Sequence, residues 1–404
     1  MAMKSMTMKS KALVKQNLRQ VSNQAFKSFF CAVVILACLS PLQSFASENL
    51  GHTSVCQNTK ENQAQKQTKE QSKEQAQNDT QSIKEALANP TQNLQKIAQD
   101  RFQEVQGFFE NLGVYIISSA TQDAKTPINL ASQNSQNLSF ADFIFQIADT
   151  NILLLGEKHD EKSHHKAQLL IMQALDAYFA WQGGECKRFN LVLEMLGSDA
   201  QSHIDEASKH KNDYKKENLK TAIGWGEWDY NQYKDIIEYA FYAPNFEIIA
   251  GNLSRKEIGT IYKGAEPIVG NVSTSVEIKE RISKIISKSH KTNDATLLAR
   301  LTQVQQYKDR RMADMLLKSG EFALLLAGNY HITKTFGIPL HIEDFIASGA
   351  KENVSGAKEN VDKNAAKKVI SIGMLKAKYL TSKRYFKKHG AQILSQYDYI
   401  LLFR

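Results

Sequence analysis

Ile152-Leu153-Leu154-Leu155-Gly156-Glu157-Lys158-His159-Asp160 is the stretch on which the fold turns. Four large apolar residues follow one another without alternation, so the segment has no side meant for water. A strand of that kind belongs inside a sheet covered on both faces, the usual setting of parallel strands. A glycine then allows a sharp turn, and four charged or polar side chains come at once. The pattern recurs. The run 190–194 ends in Glu194-Met195. The run 247–250 is followed by Gly251-Asn252-Leu253-Ser254-Arg255, and the run 322–327 by Gly328-Asn329-Tyr330-His331. Helical periodicity fills the intervals over 162–181, 231–242 and 275–317, with a break expected in the last near 291–293. Strand and helix in alternation predict an α/β fold with a mainly parallel sheet and right-handed crossovers.

Outward from these runs the reading is coarser. Apolar residues recur every three to five positions from Leu94 to Leu112, which predicts an amphipathic helix. Segments 114–117 and 128–130 suit a small hairpin. Ser139 suits the N-cap of a helix over 140–148. Residues 399–403 suit a final strand, for which an antiparallel pairing is open. The Lys- and Asn-rich stretch 349–368 reads as a mobile insertion.

The chain has 404 residues and a net charge of +9, but the charge is unevenly placed. Residues 1–46 carry six bases and no acid, 351–404 twelve bases and four acids, and 47–350 thirty-three bases and thirty-eight acids. The body is thus slightly acidic, and overall basicity gives no argument for nucleic acid. No apolar run reaches the about 18 residues of a spanning helix. Lys4, Lys9, Lys11, Lys15, Arg19 and Lys27 precede an apolar run over 29–39. Pro41 and Ser44-Phe45-Ala46 follow, in the order of a secretory signal segment. Cleavage after Ala46 is one expectation. Lipidation at Cys38, in the lipobox-like Ile35-Leu36-Ala37-Cys38, is the other. Residues 57–81 hold no large apolar side chain, so 47–82 is expected to be a flexible polar tether and 83–404 a single domain.

Ligands of open parallel sheets bind outside the carboxyl ends of the strands. Four strands here deliver glycine turns and polar groups to one such edge. Glu157, His159, Glu194 and His331 have the donor types of a divalent-metal site, although no His-Glu-x-x-His helix is present. Equally, the two glutamates could accept hydrogen bonds from turn amides and histidines. His164 and His165 open a helix. Trp225, Trp228, Tyr230 and Tyr233 form an aromatic group suited to core or to the wall of a flat ligand. There is no P-loop, no Gly-x-Gly-x-x-Gly after a strand and no Gly-x-Ser-x-Gly elbow, so nucleotide binding and serine hydrolysis have no support.

Taken in order, the turn at 152–160 with His164-His165, then 191–195, Trp228 and Tyr233, 250–255, Asp309 with Met312-Ala313, 326–331 and Gly337-Ile338-Pro339-Leu340-His341 resemble the ChaN-like haem-binding lipoproteins of bacterial iron uptake. Their superfamily also holds Tiki, TraB and erythromycin-esterase-like proteins. The resemblance spans roughly 141–404. It implies an α/β/α sandwich and an exported, membrane-associated protein that binds haem at a homodimer interface, with a tyrosine on the iron and a histidine of the other subunit nearby. In this sequence it points to Tyr330 as ligand, with His331, His164 and His165 as partners. Arg255, Arg310 and Arg311 are the candidates for pairing with the propionates. The superfamily implies a rival reading, a periplasmic metal-dependent hydrolase at the same edge.

Overall fold

A computed structural model describes residues 90–130, 137–183, 187–320, 322–348 and 367–404. The signal segment 1–46, the tether 47–82, Cys38 and residues 349–366 of the insertion lie outside the described residues. In chain order the elements are α1 Pro90–Glu110, β1 Tyr115–Ser118, α2 Phe140–Ala148, β2 Ile152–Glu157, α3 Lys162–Gly183 and β3 Phe189–Gly197. Then come α4 Gln201–Lys209, α5 Lys216–Ala222, α6 Tyr230–Tyr242, β4 Phe246–Asn252, α7 Arg255–Gly264, α8 Val276–His290, α9 Ala295–Lys318 and β5 Phe322–Gly328. The last are α10 Ile338–Ser348, β6 Val369–Lys376, α11 Lys378–Thr381, α12 Lys383–Leu394 and β7 Tyr399–Phe403.

These residues fall in two compact units. The smaller holds the described residues up to Phe102 and those from Asp176 to 183, and within it the rings of Phe102 and Trp181 meet at 6.1 Å. The larger holds 103–175 and 187–404, including the whole sheet.

Seven strands among the described residues form that sheet in the order β1-β7-β6-β2-β5-β3-β4. Every neighbouring pair is parallel except β1 with β7. The sequence explains this. Ile152, Leu153, Leu154 and Leu155 are each 0% exposed, so β2 is covered on both faces, as its unbroken apolar run requires. Each such side chain contributes about 1.5–3 kcal/mol by leaving water. On one face, Leu154, Val192, Leu325 and Ile400 pack with Met312 and Leu316 of α9, Ile338 and Ile342 of α10, and Phe386 and Leu394 of α12.

The four expected strands form, as does the break in the long helical stretch, but β4 is the sheet's edge and not a strand covered on both faces, with Glu247 exposed. α8 ends at Lys291, which takes a left-handed conformation at φ 52°, and Asp294 then caps α9 through the Leu297 amide. Ser139 caps α2 as expected, accepting from the Asp142 amide. The hairpin of 114–117 with 128–130 does not form. β1 pairs instead with β7, and the Ile128 N–H donates to the Leu380 carbonyl while its side chain enters the core. The final strand is antiparallel to β1 but parallel to β6.

Candidate functional site

Because β2, β5 and β3 lie side by side, their carboxyl ends meet. Glu157 stands opposite Gly328, and Leu193, one residue before Glu194, stands opposite Leu326. Glycine at the end of β5 keeps the edge open: a Cβ on Gly328 would come within 2.9 Å of His159 Nε2. The side chains gathered there form one string. The Tyr233 hydroxyl donates to Glu157 Oε1 at 2.5 Å, and His159 Nδ1 lies 2.7 Å from the same oxygen. His159 Nε2 faces Glu194 Oε2 at 3.8 Å. That oxygen also accepts the Gly328 N–H at 2.7 Å, and Glu194 Oε1 lies 3.1 Å from His331 Nε2. The other nitrogen of His331 pairs with Asp309 of α9, and the Gln305 amide, one turn earlier, lies 3.0 Å from it. His165 sits behind Glu157, with Nε2 at 3.3 Å from Oε2, a charge contact without hydrogen-bond alignment.

Burial would raise the Glu157 carboxyl, but the hydrogen bond with His159 and the close approach of His165 outweigh it and hold it at about 2. Glu194 is likewise held below the usual carboxylate range against its burial, chiefly by His331. Burial would push His331 down, yet the charges of Glu194 and Asp309 hold it up at about 10. Asp309 is raised, first by burial. The string therefore carries an imidazolium fixed between two acids, in an interior where charges persist only when paired and hydrogen-bonded.

The sequence-predicted residues divide clearly. Glu157, His159, Glu194 and His331 are brought together, with His165 behind them. His164 is turned away: its Nδ1 accepts the Lys158 N–H at 3.0 Å, its ring lies 4.5 Å from Phe403, and burial lowers it to about 4. Arg255 is exposed and pairs with Glu227. Arg311 pairs with Glu257, and Arg310 with His341 and Asp344. Trp225, Tyr230 and Tyr233 are core, while Trp228 lies with its ring 4.5 Å from that of His159. The divalent-metal expectation finds no support. Among the described residues no group of three or more His, Cys, Asp or Glu side chains is arranged to hold a metal ion. Glu194 accepts a turn amide and meets His331, as the alternative reading of the glutamates has it, while Glu157 accepts from Tyr233 and meets His159 with no turn amide on its carboxylate among the described residues. Gln305 went unread in the sequence because it lies in the middle of a helix with no local motif. Its spacing from Asp309, one helical turn, was the available signal.

Tyr330 stands apart from the string and is 62% exposed. Its neighbours are pinned on both sides. His331 is held by Glu194 and Asp309. The Asn329 side chain donates to the Met374 carbonyl at 2.8 Å and accepts the Met374 N–H at 3.0 Å. The turn thus presents a phenol to solvent from a fixed backbone. Phe336 packs beside it with ring centroids 6.3 Å apart, and Tyr385 of α12, itself 39% exposed, is raised by burial, Tyr379 and Tyr330.

Residues 143–342 match the family described as haem-binding uptake, Tiki superfamily, ChaN. A solved structure of ChaN from Campylobacter jejuni with cofacially bound haem is 35% identical to this chain, with a TM-score of 0.57. The match covers 72% of this chain and 97% of that one. A succinoglycan biosynthesis protein matches at 12% identity over 76% of this chain and 97% of its own, but its TM-score of 0.36 is too low to bear on the fold. No curated protein matches.

Proposed function

The chain belongs to the ChaN family of haem-binding uptake proteins in the Tiki superfamily, and from that premise we propose that it takes up haem at the strand edge with Tyr330 as the iron ligand. The observation that carries this reading is the exposed phenol between two pinned residues. Ferric iron favours phenolate oxygen as an axial ligand. The neighbouring imidazoles are poorly suited to the iron. His331 is doubly paired and charged below pH of about 10, and His164 and His165 are 2% and 4% exposed. Their part is to hold the turn. His159 is the imidazole of the string with an open side, its side chain being 35% exposed.

The proposal extends to compartment and assembly. Export is supported by the cationic, apolar and small-residue order of residues 1–46, with attachment through a lipid on Cys38 or through the tether. Among the described residues no helix is long and apolar enough to cross a membrane. A second copy closing over the haem is supported by the openness of Tyr330.

Titration of the protein with ferric haem tests the ligand. Tyr330→Phe keeps the ring and removes the oxygen. It is expected to abolish the tyrosinate charge-transfer band and to weaken binding by roughly tenfold or more, the value of one strong charged contact. An unchanged spectrum in this variant would sink the assignment.

A further inference from the structure

Beside Tyr330, α8 carries a cation that no carboxylate claims. The guanidinium carbon of Arg281 lies 4.7 Å from the centroid of the Phe336 ring, and that ring lies 6.3 Å from Tyr330. The guanidinium is therefore within about 11 Å of the Tyr330 ring. Its Nη2 is buried without a hydrogen-bond partner among the described residues. In this it differs from Arg255, Arg310 and Arg311, each engaged with an acid. Burial pulls Arg281 below its ordinary range, the sign of a cation short of compensation. Stacking on Phe336 offsets part of that deficit. Ile278 and Ile285, three residues before and four after, share the helix face with Arg281 and pack half-buried against the cluster of Ile282, Ile286 and Phe336. An apolar lip with one under-used cation thus runs beside the exposed phenol.

We propose that Arg281 pairs with a propionate carboxylate of the haem held at Tyr330. The inference rests on the proposed haem site and adds the residue that recognises the acidic edge of the plate. The separation of Tyr330 and Arg281, at most about 11 Å, keeps the guanidinium within reach of the edge of a plate centred on the phenol. The planar fork of arginine suits a carboxylate better than an ammonium would, and an anion arriving there satisfies a donor that is otherwise left without one.

The test compares ferric haem with its dimethyl ester, in which both carboxylates are masked, on the wild type, Arg281→Gln, Arg281→Lys and Tyr330→Phe. The wild type should bind the diacid on the order of 10- to 100-fold more tightly than the ester. Arg281→Gln should erase most of that preference by weakening only the diacid, with the iron-ligand spectrum kept. Arg281→Lys should retain part of it. Equal weakening of both ligands by Arg281→Gln would mean that the residue only supports Phe336, and an unchanged preference would mean that the propionates point elsewhere. Either result overturns the proposal. If Tyr330→Phe leaves the spectrum unchanged while Arg281→Gln still erases the preference, the ligand assignment falls and the propionate pairing stands.

Discussion

At the scale of single residues, the string from Tyr233 to Asp309 is a device for holding a turn, and its titration should show in stability. The folded His331 binds its proton up to about 10, against an ordinary value of 6.5. Its contribution is therefore fully present below 6.5 and is lost as pH rises through 10. Glu157 behaves in the opposite sense. Held at about 2 rather than 4.5, it contributes fully above 4.5 and loses that as pH falls through 2. His164, neutral in the fold down to about 4, costs stability as pH drops from 6.5. Urea midpoints measured across pH should therefore peak near 6.5 and fall on both sides. His331→Ala should cost about 3–5 kcal/mol by stranding two buried acids, and it should flatten the alkaline limb. An alkaline limb equally steep in that variant would show that another group titrates there.

At the scale of elements, the site is a consequence of strand order. Nothing local in the sequence says that β5 inserts between β2 and β3. Yet that insertion is what sets Gly328 against Glu157 and brings His331 to Glu194. β2, β3 and β5 were legible as buried strands because their runs are unbroken, whereas β4, read in the same way, is the sheet's edge with Glu247 exposed. β6 was not legible, because Ser371 and Gly373 interrupt it. The structure accounts for both: the Ser371 hydroxyl donates to the Ile332 carbonyl, and Gly373 leaves room for the Tyr397 ring. The edge and its glutamates were readable, whereas the use of those glutamates was not, since spacing cannot tell a metal ligand from an acceptor engaged with a tyrosine, a histidine or, at Glu194, a turn amide. The break after α8 offers a simple check. Lys291 sits in the left-handed region at φ 52°, where a side chain is strained and glycine is not. Lys291→Gly should raise stability by about 0.5–1 kcal/mol, measured as a shift in the urea midpoint with unchanged slope. A loss would mean that the lysine side chain supports the cap.

At the scale of the whole molecule, charge placement explains why local cations matter. The excess of bases over acids sits in 1–46 and 351–404, and the stretch between carries five more acids than bases. The domain from residue 83 onward carries 41 bases and 37 acids, so a dianionic plate meets only a weak general field, and recognition falls to individual side chains such as Arg281. The plate itself poses a second problem. A haem resting on a phenol that is 62% exposed keeps one apolar face in water, at a cost of about 25 cal/mol for each Å² left uncovered. A second copy bringing its own haem face to face would cover both. Haem should then favour the dimer, and dimerisation should tighten haem by the same factor, since the two equilibria are linked. Sedimentation of the protein from residue 83 onward, with and without one equivalent of ferric haem, should show the population moving toward twice the mass on loading. Tyr330→Phe should reduce that shift in proportion to the haem it fails to bind. A loaded protein that stays monomeric at concentrations where the site is saturated would mean that the open face is covered by something other than a second copy.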